Sequence, residues 1–375
     1  MTSDASVPER RAGRGSVPPV REDLTEVVPY GAPQLDVPVR LNTNETPLPP
    51  PATFLTELAG RLGSLELNRY PDRDAVALRQ ALAGREGLAP EQVWAANGSN
   101  EVLLQLMQAY GGPGRSALLF RPGYSMYPEL CRTTGTVAHT VALAADGRLT
   151  HDIVATDVAA VVAGHDPVIA LLANPNNPTG ALVDLDIVRA LHDAVNGLLV
   201  VDEAYIEFAA PGASARALLE ELPRLVVSRT FSKAFRLAGL RLGYLLAPEQ
   251  VVEDLLRVRL PYHLDAITQL AGIVALEQED AFLDHRQETA DERDRLALGI
   301  APLEGIEVLP SAANFLLLQA ERADLFDRLL EHGVLVRDLS SAVGRAGTLR
   351  VTVGTPTEND AFLAALTAVL DARQE

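Results

Sequence analysis

Short, uninterrupted apolar runs punctuate the chain, and most are followed at once by polar or glycine residues. Gln92–Ala96, Ala117–Phe120, Val168–Ala173, Leu198–Val201, Leu225–Val227 and Leu242–Leu246 all have this form. An apolar run too short for a helix and bounded by turn residues reads as a buried strand. Where no polar residue alternates within it, both faces must be covered, as in a parallel sheet. Between these runs lie stretches with helical spacing: Asp74–Gly84, with Ala75, Leu78 and Leu82 on one stripe, then Val102–Tyr110 and Leu185–Val195. Pro248–Leu260 continues the helical pattern. Ala266 to about Leu298 extends it beyond the usual length of a globular helix, which predicts a kinked helix bridging two domains.

Past residue 300 the character changes. Gly305–Leu309, Asn314–Leu318, Val334–Asp338 and Thr348–Gly354 read as strands, and Ala323–His332 and Glu358–Ala372 as helices, which together make a compact α+β unit. The expected division is a large domain over 51–265 and a smaller one over 266–375. Residues 21–50 are irregular and proline-rich and are predicted to form an arm, with residues 1–20 a disordered tail. Met1–Pro19 contains arginines but no apolar segment after them, unlike a secretory signal, and no run is long enough to span a bilayer.

At 375 residues the chain can bury a large core. Its single cysteine, Cys131, excludes an internal disulfide framework and fits a reducing cytoplasm. A net charge of −18 argues against nucleic acid or an anionic membrane as partner. That charge also makes particular arginines informative, because an acidic protein that binds an anion must concentrate cations locally.

The candidate chemistry follows the strands. After Leu225–Val227 comes Ser228-Arg229-Thr230-Phe231-Ser232-Lys233-Ala234-Phe235-Arg236-Leu237-Ala238-Gly239-Leu240-Arg241. An amine among cations loses its proton more readily, which suits a nucleophile that attacks a carbonyl as the free base. Ser232 and Arg241 can hold a phosphate, the guanidinium through a forked pair of hydrogen bonds. A lysine beside a phosphate clamp is what pyridoxal phosphate requires, although a basic surface turn would look similar. Ser99 and Asn100, in a glycine turn that leads into a helix, either cap that helix or add backbone N–H donors to an anion site. Tyr124 ends a strand, where it can stack on a flat ring or fill the core. Asn174–Gly180 carries two prolines that fix the direction of its amides, so that Asn177 can donate to a ligand oxygen. Asp202 and Tyr205 sit just past a strand's carboxyl end, where open α/β sheets bind ligands. A helix cap would account for Asp202 but not for Tyr205. Arg337 and Arg350 lie in apolar strands and need a partner, either a ligand anion or a protein carboxylate. Tyr30 and the asparagines of Leu41–Pro47 either face a cleft or belong to a surface arm, and Tyr70, before a proline, sits in extended backbone. No metal-ligand spacing and no Ser-His-Asp pattern is visible.

N-P-N-N-P-T-G, V-D-E-A-Y, R-T-F-S-K-A-F with A-G-L-R, and L-R-V-T-V-G-T occur in this order. From about Tyr30 to Ala372 the chain resembles the aspartate-aminotransferase-like, fold-type I pyridoxal-phosphate enzymes, and within them the histidinol-phosphate aminotransferases. The resemblance implies an α/β fold, with a mostly parallel seven-stranded sheet between helices in the large domain and a smaller α+β domain. It implies that Lys233 binds the cofactor covalently and carries protons between Cα and C4′. Asp202 would partner the ring nitrogen, and Asn177 and Tyr205 the ring oxygen, with Tyr124 stacked on the ring. Ser232, Arg241, Ser99 and Asn100 would cradle the phosphate, with Tyr70 reaching the cofactor of a second subunit in a homodimer. Arg350 would take a substrate carboxylate, while Arg337 and Tyr30 would hold the substrate's phosphate. Thr46 departs from the family pattern, which has asparagine there.

The reaction so implied exchanges an amino group between L-histidinol phosphate and 2-oxoglutarate, giving imidazole acetol phosphate and L-glutamate in histidine biosynthesis. The alternatives are an aromatic amino-acid aminotransferase, a threonine-phosphate decarboxylase and a non-catalytic sensor on the same fold.

Overall fold

The computed structural model describes residues 17–25, 27 and 31–372. The chain divides into one unit running up to Gly31 and another from Ala32 onward. In the first, Glu22–Leu24 forms a 3-10 turn, and Arg21 pairs with Asp23 at 2.6 Å. Tyr30 and most of the predicted tail, residues 1–16, lie outside the described residues.

The described residues of the second unit form thirteen short strands: β1 (Val39–Arg40), β2 (Val93–Ala96), β3 (Ser116–Arg121), β4 (Val137–Ala142), β5 (Ile169–Ala173), β6 (Leu198–Asp202), β7 (Leu225–Thr230), β8 (Gly243–Leu246), β9 (Ile306–Val308), β10 (Phe315–Ala320), β11 (Val334–Leu335), β12 (Arg337–Asp338) and β13 (Thr348–Thr352). Seven of them make one sheet in the order β2-β8-β7-β6-β5-β3-β4. Only β8 runs against its neighbours; the remaining pairs are parallel. The fold is therefore the α/β type expected, with a mostly parallel seven-stranded sheet.

Uniformly apolar strands have a direct cause here. Leu118, Ala170, Leu199 and Val227 join one buried cluster, while Leu119, Leu171, Val200 and Val226 join another on the opposite face. Successive side chains point to opposite faces, so a sheet buried on both sides leaves no polar alternation. β4 escaped the sequence reading because it is an edge strand with mostly exposed or half-exposed positions, lacking the apolar run that marked the others.

A second, antiparallel sheet has the order β12-β13-β10-β9. Its core includes Leu316, Leu318, Leu349 and Val351, closed by Leu296, Ile300, Phe362 and Leu366 from two helices. The helical run from Ala266 is three helices, Ala266–Glu277, Glu279–Leu283 and Arg286–Ile300. Gln278, at φ −121°, leaves the helical region and makes the first break. The single kinked helix is thus corrected to a segmented one.

The sheet register gathers the chemistry. Ala173 on β5 lies across from Asp202 on β6, and Asp202 across from Ser228 on β7. The polar segments that follow these strands accordingly emerge side by side at the sheet's carboxyl edge.

Candidate active site

Lys233 follows β7 and is held at both ends. Its Nζ donates to the Thr43 carbonyl at 2.9 Å, and its own carbonyl accepts from Thr46 Oγ1 at 2.8 Å. The position that departs from the family pattern therefore still anchors the lysine backbone. The ammonium lies 5.8 Å from the Tyr205 ring centroid. Burial, followed by the positive charges of Arg350 and Arg241, pulls the amine's pKa down to about 7, with Glu45 opposing. The sequence assigned this effect to arginines of the motif; of these Arg241 contributes, while Arg229 and Arg236 are turned into ion pairs with Glu203 and Asp284. Burial is the larger cause. A cavity of about 810 Å³ opens alongside, lined in part by Thr43, Glu45, Thr46, Ser232 and Arg236, within the size range of small-molecule sites.

Asp202 does not cap a helix. Its carboxylate accepts from Ser228 Oγ at 2.7 Å and Tyr127 Oη at 3.0 Å. Desolvation raises its pKa, opposed by those hydroxyls and the Ala204 N–H. The result is a buried acid with hydrogen-bond support, suited to a cationic partner.

Tyr205 Oη accepts from Asn44 Nδ2 at 3.0 Å and Asn177 Nδ2 at 3.5 Å. Asn177 is oriented in turn by Arg350, which donates to its Oδ1 at 2.7 Å and to the Asn42 carbonyl at 3.0 Å. Arg337 on β12 stands directly opposite Arg350 on β13. Two guanidiniums facing each other across the strands concentrate positive charge at that point of the sheet.

The phosphate candidates converge at the helix Gly98–Tyr110, which begins earlier than predicted and so includes Ser99 and Asn100 in its first turn. Neither is the N-cap; that position is Asn97, whose side chain makes no capping bond. Arg241 donates to Ser232 Oγ at 3.3 Å, and Tyr124 Oη to Asn100 Oδ1 at 3.2 Å. Two glycines permit the approach. A Cβ on Gly98, at φ +79°, would lie 2.8 Å from the Arg241 guanidinium, and one on Gly243 would lie 2.3 Å from the Ser99 nitrogen. The helix start thus presents its positive end beside a hydroxyl and a guanidinium.

Tyr70 stands apart. It is 79% exposed and stacks on Tyr262 at 4.4 Å.

Sequence reasoning passed over Tyr127, Ser228 and Thr352 as site residues, and reached Asn44 only as one of the asparagines of Leu41–Pro47 that could face a cleft. A signal for Ser228 was available, since it shares the sheet face of Asp202 one strand away. Another signal was compositional: Lys233 is the only lysine in the chain. Among the described residues, no group of three or more His, Cys, Asp or Glu could hold a metal. Nor is any helix there long and apolar enough to cross a membrane.

An aldehyde, a protonatable ring nitrogen, a ring oxygen and a phosphate would meet an amine, a buried carboxylate, a phenol and a cationic helix start. That donor set fits pyridoxal phosphate. The model of the family described as aminotransferase class I and II matches residues 37–366. The chain belongs to this family. A member from Mycobacterium sp. strain KMS, named histidinol-phosphate aminotransferase, is 48% identical over 359 residues, covering 92% of this chain and 93% of the relative. A protein of the same name from Corynebacterium glutamicum is 45% identical, covering 94% and 96%. Among solved family structures, histidinol-phosphate aminotransferase from Sinorhizobium meliloti, in complex with pyridoxal-5′-phosphate, superposes with a TM-score of 0.84 at 26% identity, covering 96% of this chain and 99% of that one.

Proposed function

We propose that the protein transfers an amino group between L-histidinol phosphate and 2-oxoglutarate, yielding imidazole acetol phosphate and L-glutamate, with pyridoxal phosphate as cofactor. The observation that carries the substrate reading is the cross-strand pair Arg337–Arg350, which suits substrates that alternately bring a phosphate and a carboxylate. The names of relatives nearly half identical over almost the whole chain support it.

When bound, pyridoxal phosphate supplies an electron sink and the carrier for the amino group. Asp202 would hold the ring nitrogen cationic, Tyr205 and Asn177 would donate to the ring oxygen, and Tyr124 would lie against the ring. Ser99, Asn100, Ser232 and Arg241 would hold its phosphate. Lys233, its amine pKa near 7, takes the proton from the substrate Cα as a general base matched to neutral pH. Arg350 forks onto the carboxylate of glutamate, and Arg337 takes the phosphate of histidinol phosphate.

In this reading residues 51–265 form the cofactor domain and 266–375 the smaller one. The exposed Tyr70 would reach the cofactor phosphate of a second copy, so that the active form is a homodimer, and the single cysteine supports a cytoplasmic location. Sedimentation showing a monomer with full activity would remove that part. The test of substrate class is a half-reaction screen on the cofactor-loaded protein with histidinol phosphate, phenylalanine, tyrosine and phosphothreonine. Histidinol phosphate should bleach the cofactor band fastest. Preference for phenylalanine would favour an aromatic aminotransferase, and carbon dioxide released from phosphothreonine a decarboxylase.

A further inference from the structure

Tyr205 is approached by two side-chain amides, and one strand fixes both of them. On β13, Arg350 and Thr352 are two residues apart and so share a face. Arg350 donates to Asn177 Oδ1 at 2.7 Å, which turns the Asn177 Nδ2 toward Tyr205. Thr352 Oγ1 accepts from the Asn44 backbone N–H at 2.9 Å and donates to Asn44 Oδ1 at 3.2 Å, which turns the Asn44 Nδ2 toward the same phenol. Asn44 is held further by Asn314 Nδ2, which donates to its carbonyl at 3.2 Å. Its φ of +55° is a left-handed conformation that asparagine tolerates better than most residues. Of the two amides, Asn44 is nearer to the phenol, at 3.0 Å against 3.5 Å.

We propose that Asn44 is a positioning residue for Tyr205, orienting the phenol so that its proton is donated away from both amides, toward the ligand. The physical basis is donor accounting. An amide NH₂ has no lone pair to accept a phenol proton, so each amide fixes the phenol oxygen as an acceptor on its own side. A donor aimed at the oxygen also polarises the O–H and strengthens its outward donation. This inference rests on the pyridoxal-phosphate reading above, in which Tyr205 donates to an anionic ring oxygen. β13 would then couple the substrate arginine and the phenol through parallel links, Arg350–Asn177 and Thr352–Asn44.

The test is a spectrophotometric pH titration of the cofactor band in full-length, loaded protein. Asn44→Gly keeps the left-handed backbone and removes the amide; Asn44→Asp keeps the acceptor toward Thr352 and reverses polarity toward Tyr205. Each variant is made in the wild-type and Tyr205→Phe backgrounds. Asn44→Gly should raise the midpoint by about half a pH unit, because a ring oxyanion with a weaker donor holds its proton more tightly. Asn44→Asp should raise it further. In the Tyr205→Phe background the Gly effect should vanish and the Asp effect should shrink. Equal shifts in both backgrounds, or none in either, overturn the proposal while leaving the aminotransferase reading intact. A wild-type protein that forms no cofactor band overturns both. A thermal melt of each variant separates these outcomes from unfolding, and if Asn44→Gly does not fold, Asn44→Asp alone decides.

Discussion

Replacing Tyr127 with phenylalanine deletes one hydroxyl from the surroundings of Asp202 and keeps the ring that fills the space. The bond lost is a 3.0 Å donation to a buried carboxylate, leaving Ser228 at 2.7 Å and the Ala204 N–H. Hydrogen bonds to charged groups contribute about 1.5–3 kcal/mol, against about 0.5–1.5 between neutral groups. Desolvation already raises the Asp202 pKa, so the charged acid opposes folding. Its contribution is most favourable below the unfolded carboxyl value and is lost as pH rises through the higher folded one. Tyr127→Phe deepens that loss. Urea unfolding of the cofactor-free protein should show destabilisation of about 1.5–3 kcal/mol at pH 8. The difference should shrink to about 0.5–1.5 kcal/mol at the lowest pH where the fold persists and the acid is protonated. The acid limb of kcat/KM should move up by about one pH unit or more. Equal destabilisation at both pH values, with an unmoved acid limb, would refute the view that Tyr127 tunes Asp202.

Gly243→Ala forces a Cβ to within 2.3 Å of the Ser99 nitrogen, and titration should find cofactor affinity reduced about tenfold or more, since overpacking costs about 1–3 kcal/mol. Arg337→Ala should impair histidinol phosphate by roughly 10- to 150-fold, the equivalent of a charged hydrogen bond, while leaving phenylalanine turnover little changed; equal impairment would sink the phosphate role. Acylation of the cofactor-free protein should titrate with a midpoint near the Lys233 value of about 7, and Lys233→Arg should remove that phase. Leu199→Ala, buried between parallel strands, should destabilise by about 2–5 kcal/mol without altering the cofactor spectrum.

The large sheet was legible because its central strands are buried on both faces and their apolar runs stand out. β4, on the edge and mostly exposed, had no such run. The break at Gln278 carried no proline or glycine to announce it. At the site, residues at a strand's end or within a few residues of it, such as Asp202, Asn177 and Lys233, could be singled out because position and chemistry coincide there. Asn44, Thr352 and Arg350 meet the phenol and the lysine only through contacts more than a hundred residues long, which no local pattern encodes. Even the lowered lysine pKa illustrates the limit: the motif pointed to the right direction and its Arg241 contributes, but burial and the distant Arg350 are the larger causes.

The central claim is that one amine, that of Lys233, binds the cofactor covalently. Borohydride reduction of the loaded protein, followed by intact-mass and peptide analysis, tests it with little ambiguity, because the chain contains no other lysine. The account predicts one pyridoxyl group per chain, on the peptide containing Lys233, and none in Lys233→Arg. A tag on another residue, or no tag on a yellow, active protein, would contradict it.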